Sequence, residues 1–136
     1  MRTVIFVLSA AIVAAGCTHA GGAGAGAHAD GAAGLATVLA GRVAGPPRDC
    51  VGESELGGNR SYGRDVIVFS GRTDDVLYVN RPLVGCPELS FGRALRVTTT
   101  TGQLCRGDIV SVFDPSTGME FGSCALGQFT PYRLAR

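Results

Sequence analysis

The chain has 136 residues, of which 46% are hydrophobic and 17% are charged, and every basic side chain apart from two histidines is an arginine. The formal net charge is +1, so overall charge does not predict binding to nucleic acid or to an anionic membrane surface. A chain of this length forms one small domain. The absence of lysine excludes catalysis through a lysine Schiff base.

Residues 1–16 have the pattern of a secretory signal peptide. One positive charge at Arg2 precedes an apolar stretch at residues 4–15 and a small residue, Gly16. The stretch is too short to be a membrane-spanning helix. Cys17 directly after it resembles the lipobox cysteine of bacterial lipoproteins, which implies acylation of its thiol.

The same resemblance predicts where the protein is located. Thr18, which follows the cysteine, favours a protein anchored by its lipid in the outer membrane and facing the periplasm. A signal peptide that is removed without lipidation is the alternative, and it predicts a periplasmic or secreted protein.

Residues 17–45 are predicted to combine the lipid attachment site with a flexible tether, because a glycine- and alanine-rich segment buries too little apolar area to offset its backbone entropy. Residues 35–44 are compatible with a short strand or a helical turn, which Pro46 ends. His19 and His28 lie far apart in this segment. Two such histidines do not form a metal site, so neither a metal nor another cofactor is predicted.

Residues 46–136 are predicted to form an all-β domain, built as a small antiparallel sheet or a partly open barrel. A short helical turn is expected near Glu53 or after Pro87. Residues 57–63 are too rich in glycine for a helix, and residues 57–60 are interpreted as a hairpin or loop. Short β-branched or alternating runs indicate the strands, which we place at 65–70, 76–79, 93–100, 108–113, 119–125 and 128–134. The turn signal at 114–118 separates two of them.

The five cysteines predict two disulfides. If Cys17 carries the lipid, four cysteines remain. In an exported protein these four are expected to be oxidised to disulfides. Three pairings are possible among Cys50, Cys86, Cys105 and Cys124. We favour Cys86–Cys105, which attaches the loop at Pro87 to the strand region 108–113, together with Cys50–Cys124, which joins the first and last segments of the domain.

Three cysteine-containing motifs carry a family resemblance. They are Cys-Pro-Glu-Leu-Ser-Phe at 86–91, Leu-Cys at 104–105 and Cys-Ala-Leu-Gly-Gln-Phe at 124–129. In this order they resemble a group of small exported bacterial envelope proteins with a four-cysteine β-domain. The resemblance implies a fold and an exported location, and it assigns no catalytic residue. Glu88 occupies a position at which many members have glycine.

The candidate catalytic residues are few. No histidine lies in residues 46–136, so a serine or cysteine nucleophile has no histidine partner there. Carboxylates occur at Asp49, Glu53 and Glu55, and as a pair at 74–75. Paired carboxylates hydrolyse glycosides at a suitable separation, but solvated turn positions explain these better. We therefore predict no catalytic residue, with a carboxylate-dependent hydrolase as the remaining enzymatic alternative.

The expected role is that of a non-enzymatic binding or structural module of the bacterial envelope. Its partners would be the membrane, through the lipid at Cys17, and an unidentified protein or glycan, but not nucleic acid. The alternative is an inhibitor of an envelope hydrolase such as lysozyme or a protease. The candidate binding loop for either role contains Leu83, Pro87, Glu88 and Phe91.

Overall fold

The computed structural model of the chain describes residues 23–89 and 93–136. The predicted signal peptide, Cys17, His19 and Phe91 lie outside these residues, and so does the side chain of His28. Within the described residues the elements are one helix and ten strands: α1 Ala23–Leu39, β1 Arg42–Ala44, β2 Cys50–Gly52, β3 Leu56–Tyr62, β4 Val66–Gly71, β5 Val76–Asn80, β6 Ala94–Arg96, β7 Gln103–Cys105, β8 Ile109–Phe113, β9 Glu120–Ala125 and β10 Phe129–Leu134.

The ten strands form three antiparallel sheets, which confirms the predicted all-β class. The largest sheet has the order β1-β10-β5-β4-β3, and two smaller sheets have the orders β2-β7 and β6-β8-β9. In the described part of the chain, β1 and β3 are the outer strands of the largest sheet and do not pair with each other. The sheet is therefore open and does not close into a barrel.

Two predicted hairpins are present. In the first, β4 pairs with β5 through a register that places Phe69 opposite Tyr78. In the second, β8 pairs with β9 after a turn in which Asp114 Oδ1 accepts the amide of Ser116 at 2.7 Å. Gly118 completes that turn with φ at 72°, a conformation that favours glycine. The predicted helical turns are also found, as single 3-10 turns at Glu53–Glu55 and Pro87–Leu89.

Apolar residues cover both faces of the large sheet. On one face Ile67, Phe69 and Phe129 belong to the main core, which also includes Val110 and Val112 of β8. The opposite face has a smaller apolar cluster of three buried valines, Val66, Val68 and Val79. Because β-strands direct alternate side chains to opposite faces, the continuous apolar run of β4 supplies both clusters.

The N-terminal boundary of the domain differs from the prediction. A 17-residue helix, α1, occupies most of the predicted tether, and β1 pairs with β10 ahead of Pro46. Leu35 and Leu39 of α1 pack against the smaller apolar cluster. Tertiary packing of these two leucines favours a helix that the glycine-rich sequence does not predict by itself. The folded unit therefore begins before residue 46.

Two disulfides are present, as predicted, but the favoured pairing was wrong. The bridges are Cys50–Cys105 and Cys86–Cys124. β2 pairs with β7, not with the last strand, and this register sets Cys50 directly opposite Cys105. Cys124 lies on β9, which packs on the 3-10 turn that follows Cys86. Strand pairing over long sequence separations, which spacing does not reveal, decides the connectivity.

Smaller differences concern strand extent. Residues 57–60, interpreted as a hairpin or loop, lie within strand β3. The predicted strand at 93–100 is reduced to Ala94–Arg96. The short strand β2 was not predicted. Strands of three residues carry too little periodicity to be recognised from sequence.

Candidate functional site

A cleft lies where the end of β5, the turn between β7 and β8, and the start of β10 meet. Its volume is about 320 Å³. Two arginines line it, Arg81 from the segment after β5 and Arg106 from the turn after β7. The other lining residues are Pro47, Val79, Leu83, Gly127, Gln128, Thr130 and Tyr132.

The backbone at Arg81 is fixed by its close approach to Gly127. A Cβ atom at residue 127 would lie 1.9 Å from the carbonyl oxygen of Arg81, so only glycine fits there. The preceding residue, Asn80, is fully buried. Its side-chain amide donates to the carbonyl of Gly127 at 2.8 Å, and its oxygen accepts the amide of Gly127 at 2.9 Å. These contacts fix the position at which the Arg81 side chain starts.

Arg106 is held by a second set of backbone contacts. Its amide donates to the carbonyl of Asp49 at 2.6 Å, and the next amide, of Gly107, donates to the carbonyl of Leu126 at 2.8 Å. The preceding residue, Cys105, is bound to Cys50 by a disulfide. The turn that carries Arg106 is therefore fixed both covalently and by hydrogen bonds to the segment that leads into β10.

The cleft has an excess of positive charge. Both arginines are exposed, and their side chains make no hydrogen bond or ion pair with the residues that the structure describes. The described lining residues include no carboxylate. Gln128, another lining residue, donates its side-chain amide to Asp49 Oδ1 at 2.9 Å. The two guanidinium groups are consequently free to bind an external group.

The predicted binding loop is only partly associated with this cleft. Leu83 lines the cleft, and its amide donates to the carbonyl of Ala125 at 3.0 Å. Pro87 and Glu88 lie in the exposed 3-10 turn, where Glu88 forms an ion pair with Arg93. The Cys86–Cys124 bridge fixes the loop between these two parts.

The candidate catalytic carboxylates have separate partners. Asp49 binds Gln128, and Glu53 lines a different cavity of about 210 Å³. The guanidinium of Arg42 donates hydrogen bonds to the backbone carbonyls of Asp74 and Asp75. No hydrogen bond joins two of these carboxylates within residues 23–89 and 93–136, so no shared proton or paired-acid geometry is observed there.

Glu55 lies in a polar network on the other side of β5. Its carboxylate accepts two hydrogen bonds from Arg48, at 3.0 and 3.1 Å, one from the Tyr78 hydroxyl at 3.1 Å, and one from the amide of Gly52 at 3.1 Å. The Arg48 hydrogen bonds are the main reason that the pKa of Glu55 falls from 4.5 to about 2. Burial and the bond to Glu55 raise the pKa of Tyr78. A carboxyl group with such a low pKa is a poor general acid near neutral pH.

The comparisons with known proteins give no match: none is found among protein-family models, among curated proteins or among solved structures. The resemblance to exported four-cysteine proteins thus stays a prediction from motifs. In the described residues no helix is long and apolar enough to cross a membrane, and no cluster of three or more histidine, cysteine or acidic side chains is arranged to hold a metal ion.

Reasoning from sequence missed the residues that define the cleft. Arg81, Arg106 and Gln128 come from three chain segments, and each is unremarkable within its own segment. The available signal was Gly127 within the motif at 124–129, because an isolated glycine in an apolar stretch indicates a close backbone approach.

Proposed function

We propose that the protein is an exported, non-enzymatic binding module of the bacterial envelope, attached to the outer membrane by a lipid on Cys17. The observation that carries the exported location is the pair of disulfides, because such bridges form and persist in oxidising compartments. They indicate a non-cytoplasmic protein. Lipidation and envelope anchoring rest on the signal-like residues 1–16 and on the lipobox-like cysteine.

The placement of the two bridges supports the binding role. One bridge ends at Cys105, next to Arg106, and the other ends at Cys86, three residues after Leu83. Both bridges therefore fix chain segments that line the cleft of Arg81 and Arg106, hereafter the arginine cleft. A cleft with little freedom to rearrange loses little conformational entropy on binding, which favours affinity.

The location is tested by producing the full chain in a bacterium with a two-membrane envelope. We expect a membrane-bound mature protein that begins at Cys17, carries acyl groups, and gains two hydrogens per disulfide when it is reduced. The matched control, Cys17→Ser, should lose the acyl mass. An uncut cytosolic chain with reduced thiols would overturn the proposal. A cut, soluble periplasmic protein without acyl mass would replace lipidation with simple secretion.

A specific observation favours a second candidate, inhibition of an envelope hydrolase. Val84 is 84% exposed and Leu83 is 51% exposed, and the bridge at Cys86 restrains this apolar loop. A rigid, protruding apolar loop suits insertion into an enzyme cleft. Purified protein should then inhibit lysozyme or an envelope protease, and Val84→Asp should abolish the inhibition. Lack of inhibition across such a panel by the intact protein would exclude this candidate.

A further inference from the structure

We infer that the arginine cleft is a binding site for a small organic anion, namely a carboxylate or phosphate group attached to a compact apolar group. The inference rests on the proposed binding function and gives it a ligand class. The two unpaired arginines, Arg81 and Arg106, line one concave surface although 25 residues separate them in sequence.

The electrostatics of the cleft favour an oxyanion. Two guanidinium groups, each with several N–H donors in a planar arrangement, match the geometry of carboxylate and phosphate oxygens. Arginines on this protein that face nearby acids are neutralised, as Arg48 is by Glu55 and Arg96 is by Glu120. Arg81 and Arg106 have no such partner among the described residues. Their charges are therefore available to a ligand.

The remaining lining residues determine what else the ligand carries. Gln128, Thr130 and Tyr132 add polar groups, and Val79 and Leu83 add apolar surface. Val79 lies opposite Thr130 in the β5–β10 register, so apolar and polar side chains are neighbours in the floor of the cleft. A ligand with an anionic end and an apolar body uses both kinds of surface.

Size limits the ligand to a small molecule. A cleft of about 320 Å³ lies near the lower end of the range of roughly 300 to 1,000 Å³ that is typical of ligand pockets. The walls are fixed by the contact between Gly127 and Arg81, by the Asn80 hydrogen bonds and by the Cys50–Cys105 bridge. Little widening of the cleft is therefore expected when a ligand binds.

The test is a titration of the full mature protein, purified with its disulfides intact, by isothermal calorimetry. The probes are phenyl phosphate and benzoate, with benzamide as the neutral analogue of benzoate. We expect both anions to bind, benzamide to bind at least about tenfold more weakly, and raising the salt from about 0.05 to 0.5 M to weaken only the anions. The difference between the two anions tells whether phosphate or carboxylate is preferred.

Variants assign the binding to the cleft. Arg81→Ala and Arg106→Ala should each raise the Kd by about tenfold, because each removes charged hydrogen bonds. Arg72→Ala is the matched control, since Arg72 is an exposed arginine in the turn between β4 and β5 and does not line the cleft. It should change the Kd by less than about twofold. Unchanged melting temperatures would show that all three variants fold.

The inference is overturned if neither anion binds at about 10 mM, or if the Arg81→Ala/Arg106→Ala double variant binds both as tightly as the original protein. Such a result leaves the exported, disulfide-bonded module intact and removes only its ligand class. Recovery of the chain in the cytosol with reduced thiols would instead overturn the proposed function. The two failures are therefore distinguishable.

Discussion

Two polar networks lie on β5 and differ in burial and charge. Asn80 is fully buried and uncharged, and it makes two hydrogen bonds to the backbone of Gly127. Glu55 is charged and binds Arg48 and Tyr78, but the side chains of Glu55 and Arg48 are each 42% exposed. The backbone groups that bind Asn80 are buried, so water does not replace Asn80 as their hydrogen-bond partner if it is removed. The Arg48–Glu55 pair is partly exposed, so water competes for its hydrogen bonds.

The comparison shows that charge is a poor guide to the energetic importance of a network in this protein. The neutral Asn80–Gly127 pair joins β5 to the segment before β10, and it positions Arg81 of the cleft. The Arg48–Glu55 pair has more hydrogen bonds, yet solvent screens it. We therefore expect disruption of the buried network to reduce stability more than disruption of the exposed one.

The largest effect is expected from Gly127→Ala. The added Cβ would lie 1.9 Å from the Arg81 carbonyl oxygen, which is backbone and has no rotamer to relieve the clash. We expect a loss of about 4 kcal/mol or more in the free energy of unfolding, measured by denaturant titration. Gly58→Ala is the control, because no atom lies within 4 Å of its added Cβ. Equal losses for the two variants would contradict the close approach.

The next largest effect is expected from Asn80→Ala. The substitution leaves the amide and carbonyl of Gly127 without their buried partners and opens a small cavity. We expect a loss of about 3 kcal/mol in the free energy of unfolding. A loss below about 1 kcal/mol would mean that water replaces the Asn80 side chain. The buried network would then contribute no more to stability than the exposed one.

A smaller effect is expected from disruption of the exposed network. Glu55→Gln should reduce the free energy of unfolding by about 1 kcal/mol, because the 42% exposure of both partners screens their attraction. A double-mutant cycle with Arg48→Met measures the coupling between the two side chains directly. A coupling energy above about 3 kcal/mol would show that the Tyr78 hydroxyl and the Gly52 amide strengthen the pair beyond its exposure.

The smallest effect, and the most specific one, is the pH dependence. Folding lowers the pKa of Glu55 from 4.5 to about 2, so its stabilising contribution is complete above pH 4.5 and is lost as the pH falls towards 2. The stability difference between the original protein and Glu55→Gln should therefore shrink over this interval. The deficit of Asn80→Ala should stay constant, because neither Asn80 nor Gly127 has an ionisable side chain. If the stability deficits of both variants depended on pH in the same way, the assignment of the pH dependence to Glu55 would be contradicted.

Local features of the fold could be predicted from the sequence. The β-branched run at 66–69 and the turn after it predicted the β4–β5 hairpin, and the turn signal at 114–118 predicted the β8–β9 hairpin. Proline after Cys86 predicted the 3-10 turn at Pro87–Leu89. Each depends on residues within about ten positions of one another, the range over which backbone propensity and side-chain alternation act.

The candidate site could not be predicted in the same way. The Leu83 loop was recognised from its cysteine and proline, but Arg81 and Arg106 become neighbours only because Gly127 and Leu126 bind the backbone beside them. These contacts join residues that lie 19 and 46 positions apart. Nothing in the composition of one segment indicates which other segment it will contact.

The sequence by itself determined the all-β class, the number of disulfides, and the positions of the main hairpins and turns. Tertiary structure alone decided that Cys50 faces Cys105, that Leu35 and Leu39 hold a helix against the sheet, and that two arginines share one cleft. The physical reason is the sequence separation over which each interaction acts. Strand and turn preferences are set by adjacent residues, whereas disulfide partners, helix docking and clefts depend on strand registers that are fixed only when the whole core packs.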